Sequence, residues 1–375
     1  MKIAMIGHKR IPSREGGVEI VVEELATRMV ELGHEVTVYN RKGSHVSGKE
    51  YEQHNKDAKS GKKYKGIRIV NVPTFQSSQL NAIIYAVLAT IHAICSKYDA
   101  IHIHAEGPAI MCGLTRLFRK RTIVTIHGLD WQRAKWGGFA TKMLLWGERT
   151  ASKYADEIIV LSENVQQYFK DTYGRETTYV PNGITIPENR EADLIEKAYS
   201  LEKDSYLLFL ARIVPEKGLH YLIESYGQIH TDKKLVIAGG SSHTDDYFEQ
   251  IQEMARQDER IIMTGFIMGQ ALEELYSNAY VYVLPSDVEG MPLSLLEAMS
   301  YGNCVLVSDI SECREVVGEN GYYFAKGNVL SLKAELEQLL ANEDKVRTIR
   351  GGVADEVAKR FNWDEIVEET LRLYL

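Results

Sequence analysis

The segment DVEGMPLSLLEAM, residues 287–299, sets two carboxylates, Glu289 and Glu297, eight positions apart in an otherwise mostly apolar stretch. A strand ends near Leu284, a loop carries Glu289, Gly290 and Met291, and Pro292 stands where the first turn of a helix begins. Glu297 then falls a turn or more into that helix. A partly buried carboxylate is costly without donors, and each carboxylate accepts hydroxyls in two directions. The pair therefore suits one ligand with two hydroxyl-bearing ends. The plainer alternative is that Glu289 complements a helix N-terminus and Glu297 pairs with a nearby cation. Upstream, FLARIVPEKG puts Arg212 just after a strand and Lys217 at the start of a helix, beside Gly218. Two such cations suit a diphosphate, which Arg grips with two bonds and Lys meets as a point charge. Two solvated surface cations would give the same spacing.

Glycines mark the other candidate positions. In GHKRIPSREGGVEIVVEEL, Gly16 and Gly17 directly precede a helix, where backbone amides and the helix dipole favour an anion. A Gly-Gly pair is as often only a turn, and the G-x-G-x-x-G spacing of a dinucleotide site is missing. Gly240 in VIAGG and Gly265 in MTGF follow strands, where a flat nucleobase or a phosphate can approach the backbone.

The elements that must position these residues alternate. KIAMIG, EVTVY, IRIVNV, AIHIH, RTIVTI, EIIVL and TTYVP read as strands separated by amphipathic helices, such as Val18 to Leu32 closed by Gly33. After the polar segment PNGITIPENREADLIEKAYSLEKDS, which reads as a linker, the pattern restarts with YLLFLA, KLVIAG, RIIMTG, AYVYVLP and NCVLVS. Alternation of this kind predicts parallel, doubly wound sheets, and 375 residues exceed what one core supports. The expected organisation is an N-terminal domain over 1–185, a C-terminal domain over 186–355, and a closing helix over 356–375 that packs back towards the N-terminal domain, the two domains facing a cleft. Ligands of open parallel sheets bind beyond the carboxyl ends of the strands, which is where the candidates fall. Residues 41–66 read as a mobile polar loop.

Composition narrows the functional classes. The net charge of −8 divides unevenly: residues 1–180 carry 26 Lys and Arg against 18 Asp and Glu, and the remainder 18 against 34. A basic half in an acidic protein points to an anionic partner, such as a phospholipid surface or a phosphorylated substrate. No nucleic-acid partner is expected, since the cations are not interleaved with aromatics. Met1-Lys2 runs straight into IAMIG with no charged leader, so no secretory signal is read. The apolar run Ala82 to Cys95 is too short to span a bilayer. Cys95, Cys112, Cys304 and Cys313 show no metal-ligand spacing and suit a reducing cytoplasm.

Arg212, Lys217 and the Glu289-x7-Glu297 pair resemble the donor-site signature of the GT-B glycosyltransferases of family 4. The resemblance covers essentially the whole chain through the glycine-rich first loop, VPNGI, FLARIVPEKG, the two glutamates and the closing FNWDEIV helix. IPSREGGVE and TIHGLDWQRAKW further resemble the bacterial branch that includes rhamnosyltransferases of surface-polysaccharide assembly.

The resemblance implies two Rossmann-like domains and a retaining transfer of sugar from a nucleoside-diphosphate donor, a dTDP- or UDP-sugar, to a glycan acceptor built on a lipid diphosphate. It implies that Arg212 and Lys217 hold the diphosphate and stabilise the leaving charge, that Glu297 binds the ribose, and that Glu289 binds the donor sugar beside the Gly290 and Met291 amides. Gly16 and Gly17 would approach the diphosphate or acceptor from the opposite domain. His127 matches the position of a histidine near the reacting sugar; Glu106 and Asp130 have no assigned role. No D-x-D sequence appears, so neither metal nor other cofactor is expected. Arg116, Arg119, Lys120 and Arg121 could dock the enzyme on the inner, cytoplasmic face of an anionic membrane. Two alternatives stay open: a non-catalytic subunit that binds sugar nucleotides, and an NADP-dependent oxidoreductase, for which Arg41 after the second strand could meet a 2′-phosphate.

Overall fold

The computed structural model describes residues 1–14, 16–43, 62–74, 78–133, 137–241 and 245–375. Most of the polar stretch at 41–66 therefore lies outside the described residues, as do Glu15 of IPSREGGVE and residues 134–136 of TIHGLDWQRAKW.

The chain divides into two units. One comprises Met1–Gln132, Trp136–Gly183 and Trp363–Leu375; the other is built on Ile184–Asn362. The closing helix, Trp363–Arg372, thus belongs to the first unit, where Trp363 is buried and Arg28 lies 5.5 Å over its ring. Gly183 is the residue that lets this happen, because a Cβ there would sit 2.3 Å from the Trp363 ring.

The first unit contains strands β1 (Lys2–Ile6), β2 (Glu35–Lys42), β3 (Lys63–Tyr64), β4 (Ile67–Pro73), β5 (Ala100–His104), β6 (Arg121–Ile126), β7 (Glu157–Val160) and β8 (Thr178–Tyr179). They form one sheet in the order β3-β4-β2-β1-β5-β6-β7-β8, parallel except for the β3–β4 hairpin. The second unit contains β9 (Tyr206–Leu210), β10 (Lys234–Ala238), β11 (Ile261–Gly265), β12 (Val281–Leu284), β13 (Cys304–Ser308) and β14 (Tyr322–Phe324), in the order β11-β10-β9-β12-β13-β14. These six strands pair in parallel throughout. Strands such as VYVL and CVLVS are buried along their whole length because helices cover both faces, which explains their unbroken apolar runs.

In each sheet the winding reverses once, between β1 and β5 and between β9 and β12, and such reversal points open a crevice at the carboxyl ends of the strands. Two strands, β3 and β14, have no counterpart in the sequence reading, being only two and three residues long. The segment that reads as a polar linker also needs correction. It holds the helix Leu194–Tyr199, with Ile195 and Leu201 fully buried. The buried carboxylate of Glu274 accepts the amides of Asp193 and Ile195 at 3.0 and 3.1 Å, fixing that helix from its N-terminal end. That partner lies some eighty residues away and leaves no local trace.

Candidate functional site

The reversal point of the second sheet is lined by the loops after β9 and β12, which carry most of the sequence candidates. Arg212 stands two residues beyond β9, half-buried. Its neighbour Ile213 donates its amide to the Gly240 carbonyl at 3.0 Å, so the loops after β9 and β10 are tied together. Gly239 permits this approach: its φ is +149° and a Cβ would lie 1.9 Å from the Ala211 carbonyl oxygen. Gly240 and Gly265 face open space on the side where a Cβ would project, Gly265 with φ +71° at the end of β11.

Lys217 closes a 3-10 turn, Pro215–Lys217, rather than opening a helix as its sequence suggests. Gly218 follows in the left-handed region, φ +63°, packed so that a Cβ would meet the Pro285 carbonyl oxygen at 2.0 Å. This contact locks the turn after β9 onto the end of β12. Across it, Lys217 Nζ lies 2.5 Å from Glu289 Oε1, with the two side chains only 12% and 7% exposed. Ser286 Oγ donates to the same Glu289 oxygen at 2.6 Å, and the Ser286 carbonyl accepts from Ser308 Oγ. The expected cation and the expected sugar-binding carboxylate are thus brought into direct contact. Gly290 and Met291 are buried between them and the helix Leu293–Ser300, for which Pro292 is the N-cap.

Glu297 is the fifth residue of that helix, half-buried. Its Oε2 accepts the hydroxyl of Tyr276 at 3.0 Å, and Tyr276 stacks on Tyr301 with ring centroids 5.3 Å apart. Burial, followed by the Glu297 charge, pushes the Tyr276 hydroxyl well above its ordinary pKa, which keeps it a donor. Tyr282 bonds Ser294 Oγ at 2.9 Å behind it.

In the first unit, Gly16 is the N-cap of the helix Gly17–Glu31, in ordinary extended backbone. The space a Cβ would take there holds the Glu19 carboxylate, 2.2 Å away, which accepts the Lys9 amide at 2.9 Å. The helix therefore already carries an anion of its own chain at this end. His127, after β6, is half-buried and its Nε2 lies 3.1 Å from His104 Nδ1, the rings stacked at 5.3 Å. His104 and His102 are fully buried on β5; burial drives His104 well below the ordinary imidazole range and His102 down to about 3. Of the RLFRKR cations, Arg116 and Arg119 are exposed, along with Leu117 and Phe118. Lys120 and Arg121 are instead drawn inward, donating to the carbonyls of Ser96 and Leu373 at 2.9 and 3.0 Å.

Comparison with known proteins decides the class. Residues 15–186 match the family model for Glycosyltransferase Family 4, and residues 191–351 match that for Glycosyl transferases group 1. The chain is a glycosyltransferase of the GT-B type. It is 26% identical to an uncharacterized glycosyltransferase of Methanocaldococcus jannaschii, over 100% of this chain and 98% of the other. It is also 26% identical to the UDP-Gal:alpha-D-GlcNAc-diphosphoundecaprenol alpha-1,3-galactosyltransferase of Escherichia coli, over 74% of this chain and 76% of that one. Among solved structures, Anabaena HepE in complex with UDP and glucose superposes with a TM-score of 0.81 at 17% identity, covering 99% of this chain and 98% of that one.

Within the transferase, sequence reasoning missed the residues that hold the site rather than face it. Tyr276, Ser286, His104 and Gly239 are such residues. Gly239 had a signal, since it precedes Gly240 directly after a strand; Tyr276 had none, because its partner is set by packing of the Gln270–Asn278 helix. Among the described residues no group of His, Cys, Asp or Glu is arranged to hold a metal ion, and no helix is long and apolar enough to cross a membrane.

Proposed function

We propose that this transferase moves a sugar with retention of anomeric configuration from a nucleoside-diphosphate sugar to a glycan carried on a lipid diphosphate, without a metal, in surface-polysaccharide assembly. The observation that carries the reading is the Lys217–Glu289 contact at the reversal point of the second sheet, with Arg212 on the loop beside it. A nearly buried cation and carboxylate in a strand-end crevice are the parts a phosphorylated, hydroxylated ligand requires.

In this reading the diphosphate binds Arg212 and takes Lys217 from Glu289. The freed Glu289 accepts sugar hydroxyls, with the amides of Gly290 and Met291 alongside. Glu297, steadied on one side by Tyr276, accepts the ribose hydroxyls with its other oxygen. Gly240 and Gly265 give the base and phosphates access to the backbone. As the sugar leaves, the two cations neutralise the departing diphosphate, which takes the acceptor's proton. His127 stands near the reacting sugar, and Gly16 with Gly17 approach the diphosphate or the acceptor. A UDP donor is supported by the likeness to HepE, which was solved in complex with UDP and glucose, and a lipid-diphosphate acceptor by the name of the E. coli relative. A dTDP-rhamnose donor is the competing choice, resting on the likeness of the N-terminal motifs.

Arg116 and Arg119, with Leu117 and Phe118 between them, form the membrane-facing patch at the cytoplasmic surface. Salt-reversible binding to anionic vesicles, absent with neutral ones, checks that part. The reaction itself is tested by incubating the enzyme with UDP- and dTDP-sugars and an undecaprenyl-diphosphate-linked glycan, then reading the new linkage by NMR. Product with the donor's anomeric configuration supports the proposal; an inverted product, or donor consumption without glycan extension, contradicts it.

A further inference from the structure

Three histidines gather at the carboxyl ends of β5 and β6 in the first unit. His102 and His104 alternate with Ile103 along β5 and so share one face of the sheet, their ring centroids 4.1 Å apart and both side chains fully buried. His102 is held at both ring nitrogens, Nδ1 lying 2.6 Å from the Tyr374 hydroxyl and Nε2 2.7 Å from Thr125 Oγ1. Its fixed ring packs on that of His104. The backbone of His104 is fixed as well, because Gly7 brings the end of β1 so close that a Cβ there would lie 2.0 Å from the His104 carbonyl oxygen. From this rigid setting His104 Nδ1 meets Nε2 of half-buried His127 at 3.1 Å, with the two ring planes within 29° of parallel.

One proton occupies this contact, and the ring that owns it decides what His127 can do. A neutral imidazole donates at one nitrogen and accepts at the other, so the bond made by one nitrogen sets the state of its fellow. Burial keeps His104 neutral, far below the ordinary imidazole range, and it has a single ring proton to place. If His127 donated from Nε2, His104 would accept at Nδ1 and carry its own proton on Nε2. That nitrogen is buried and has no hydrogen-bond partner. An N–H there would stand without an acceptor, which native structures tolerate less than an unpartnered lone pair. With the proton on Nδ1 the buried N–H is satisfied by His127, and only a lone pair is left at Nε2. We propose that His104 is a positioning residue that donates its Nδ1 proton to Nε2 of His127 and thereby holds neutral His127 as the Nδ1–H tautomer. His127 then offers a hydrogen-bond donor at Nδ1, where the other tautomer would offer a base. The consequence for transfer rests on the reading that His127 stands near the reacting sugar: it donates a hydrogen bond to a substrate oxygen and takes no proton, the acceptor's proton passing to the departing diphosphate.

The tautomer itself needs no substrate to be read. In protein labelled with ¹⁵N-histidine, the ring resonances of His127, assigned as those lost in His127→Gln, are recorded at pH 8 by long-range ¹H–¹⁵N correlation, whose pattern of cross-peaks separates Nδ1–H from Nε2–H. The wild type is expected to carry the His127 proton on Nδ1, and in His104→Phe, where no donor faces Nε2, the Nε2–H form should appear. A wild-type proton on Nε2 overturns the proposal without recourse to any variant. A proton that stays wholly on Nδ1 in a folded His104→Phe protein overturns the part given to His104. Turnover is then compared across the wild type, His104→Phe and His104→Asn, whose amide can donate from the place of Nδ1. The kcat should follow the fraction of Nδ1–H, falling roughly 10- to 100-fold where that form is lost, the scale of one hydrogen bond at the transition state. A kcat that does not follow this fraction would overturn the link to sugar transfer and leave the tautomer standing.

Discussion

Replacing Glu289 by glutamine should tighten the binding of a nucleoside diphosphate even as it removes activity. Lys217 Nζ and Glu289 Oε1 are 2.5 Å apart and nearly buried, so at an effective dielectric near 20 their Coulomb attraction is about 7 kcal/mol. Most of that offsets the desolvation of the two charges. What a diphosphate must displace is nearer the net worth of a hydrogen bond between charged groups, about 1.5–3 kcal/mol. The amide introduced by Glu289→Gln keeps the shape and the Ser286 contact but no longer competes for Lys217 or repels the phosphates. Affinity for UDP and for inorganic pyrophosphate should therefore rise roughly 10- to 100-fold, measured by isothermal titration calorimetry. The unliganded variant should lose about 1–3 kcal/mol of stability to urea, because Lys217 is left buried without its partner. Turnover should fall, since the sugar loses its carboxylate. Equal or weaker binding of both probes by a folded Glu289→Gln protein would refute the exchange of partners at Lys217.

Three further outcomes follow from the same contacts. Tyr276→Phe removes one donor from Glu297 and should weaken UDP binding about 3- to 10-fold with the fold intact; unchanged affinity would show that Glu297 needs no such support. His8, with a pKa lowered by burial to about 4, His102, lowered to about 3, and His104, also lowered, each bind a proton in the unfolded chain near 6.5 but not in the fold. Stability is then full above pH 6.5 and drains as pH falls below it. His8 and His102 together give a slope approaching about 2.7 kcal/mol per pH unit, to which the lowered His104 adds and against which the raised Glu106 carboxyl acts. Urea unfolding at pH 6 and pH 5 should differ by about 2–3 kcal/mol, and equal values would contradict the buried neutral imidazoles. In the proposed mechanism Arg212 and Lys217 neutralise the leaving diphosphate, so activity should survive excess chelator; loss restored by magnesium or manganese would contradict this.

Much of the fold was legible because parallel strands buried on both faces declare themselves as apolar runs, and KIAMI, YLLFL and VYVL could hardly be anything else. The site's charged residues were legible for a related reason. Arg212 and Glu289 lie in loops that follow such strands, two and five residues on, where ligands of parallel sheets bind. What lay hidden depends on distant packing. The helix Leu194–Tyr199 looks like polar linker until Glu274 is seen beneath it. Lys217 reads as a free cation until the Gly218–Pro285 contact swings it onto Glu289. Glu148 looks like any surface glutamate on an amphipathic helix, yet it is fully buried and accepts the hydroxyls of Tyr168 and Tyr173. Lys120 and Arg121 read as docking cations by composition, yet backbone carbonyls of their own unit hold them.

The central claim is that the crevice between β9 and β12 binds the diphosphate of a nucleotide. Thermal melting with UDP, GDP, dTDP, ADP and NADPH tests it most directly, since a ligand that binds only the folded state raises the melting temperature. One nucleoside diphosphate should stabilise the wild type, and the shift should vanish in Arg212→Ala. Stabilisation by none of them, or by NADPH alone, would contradict the account.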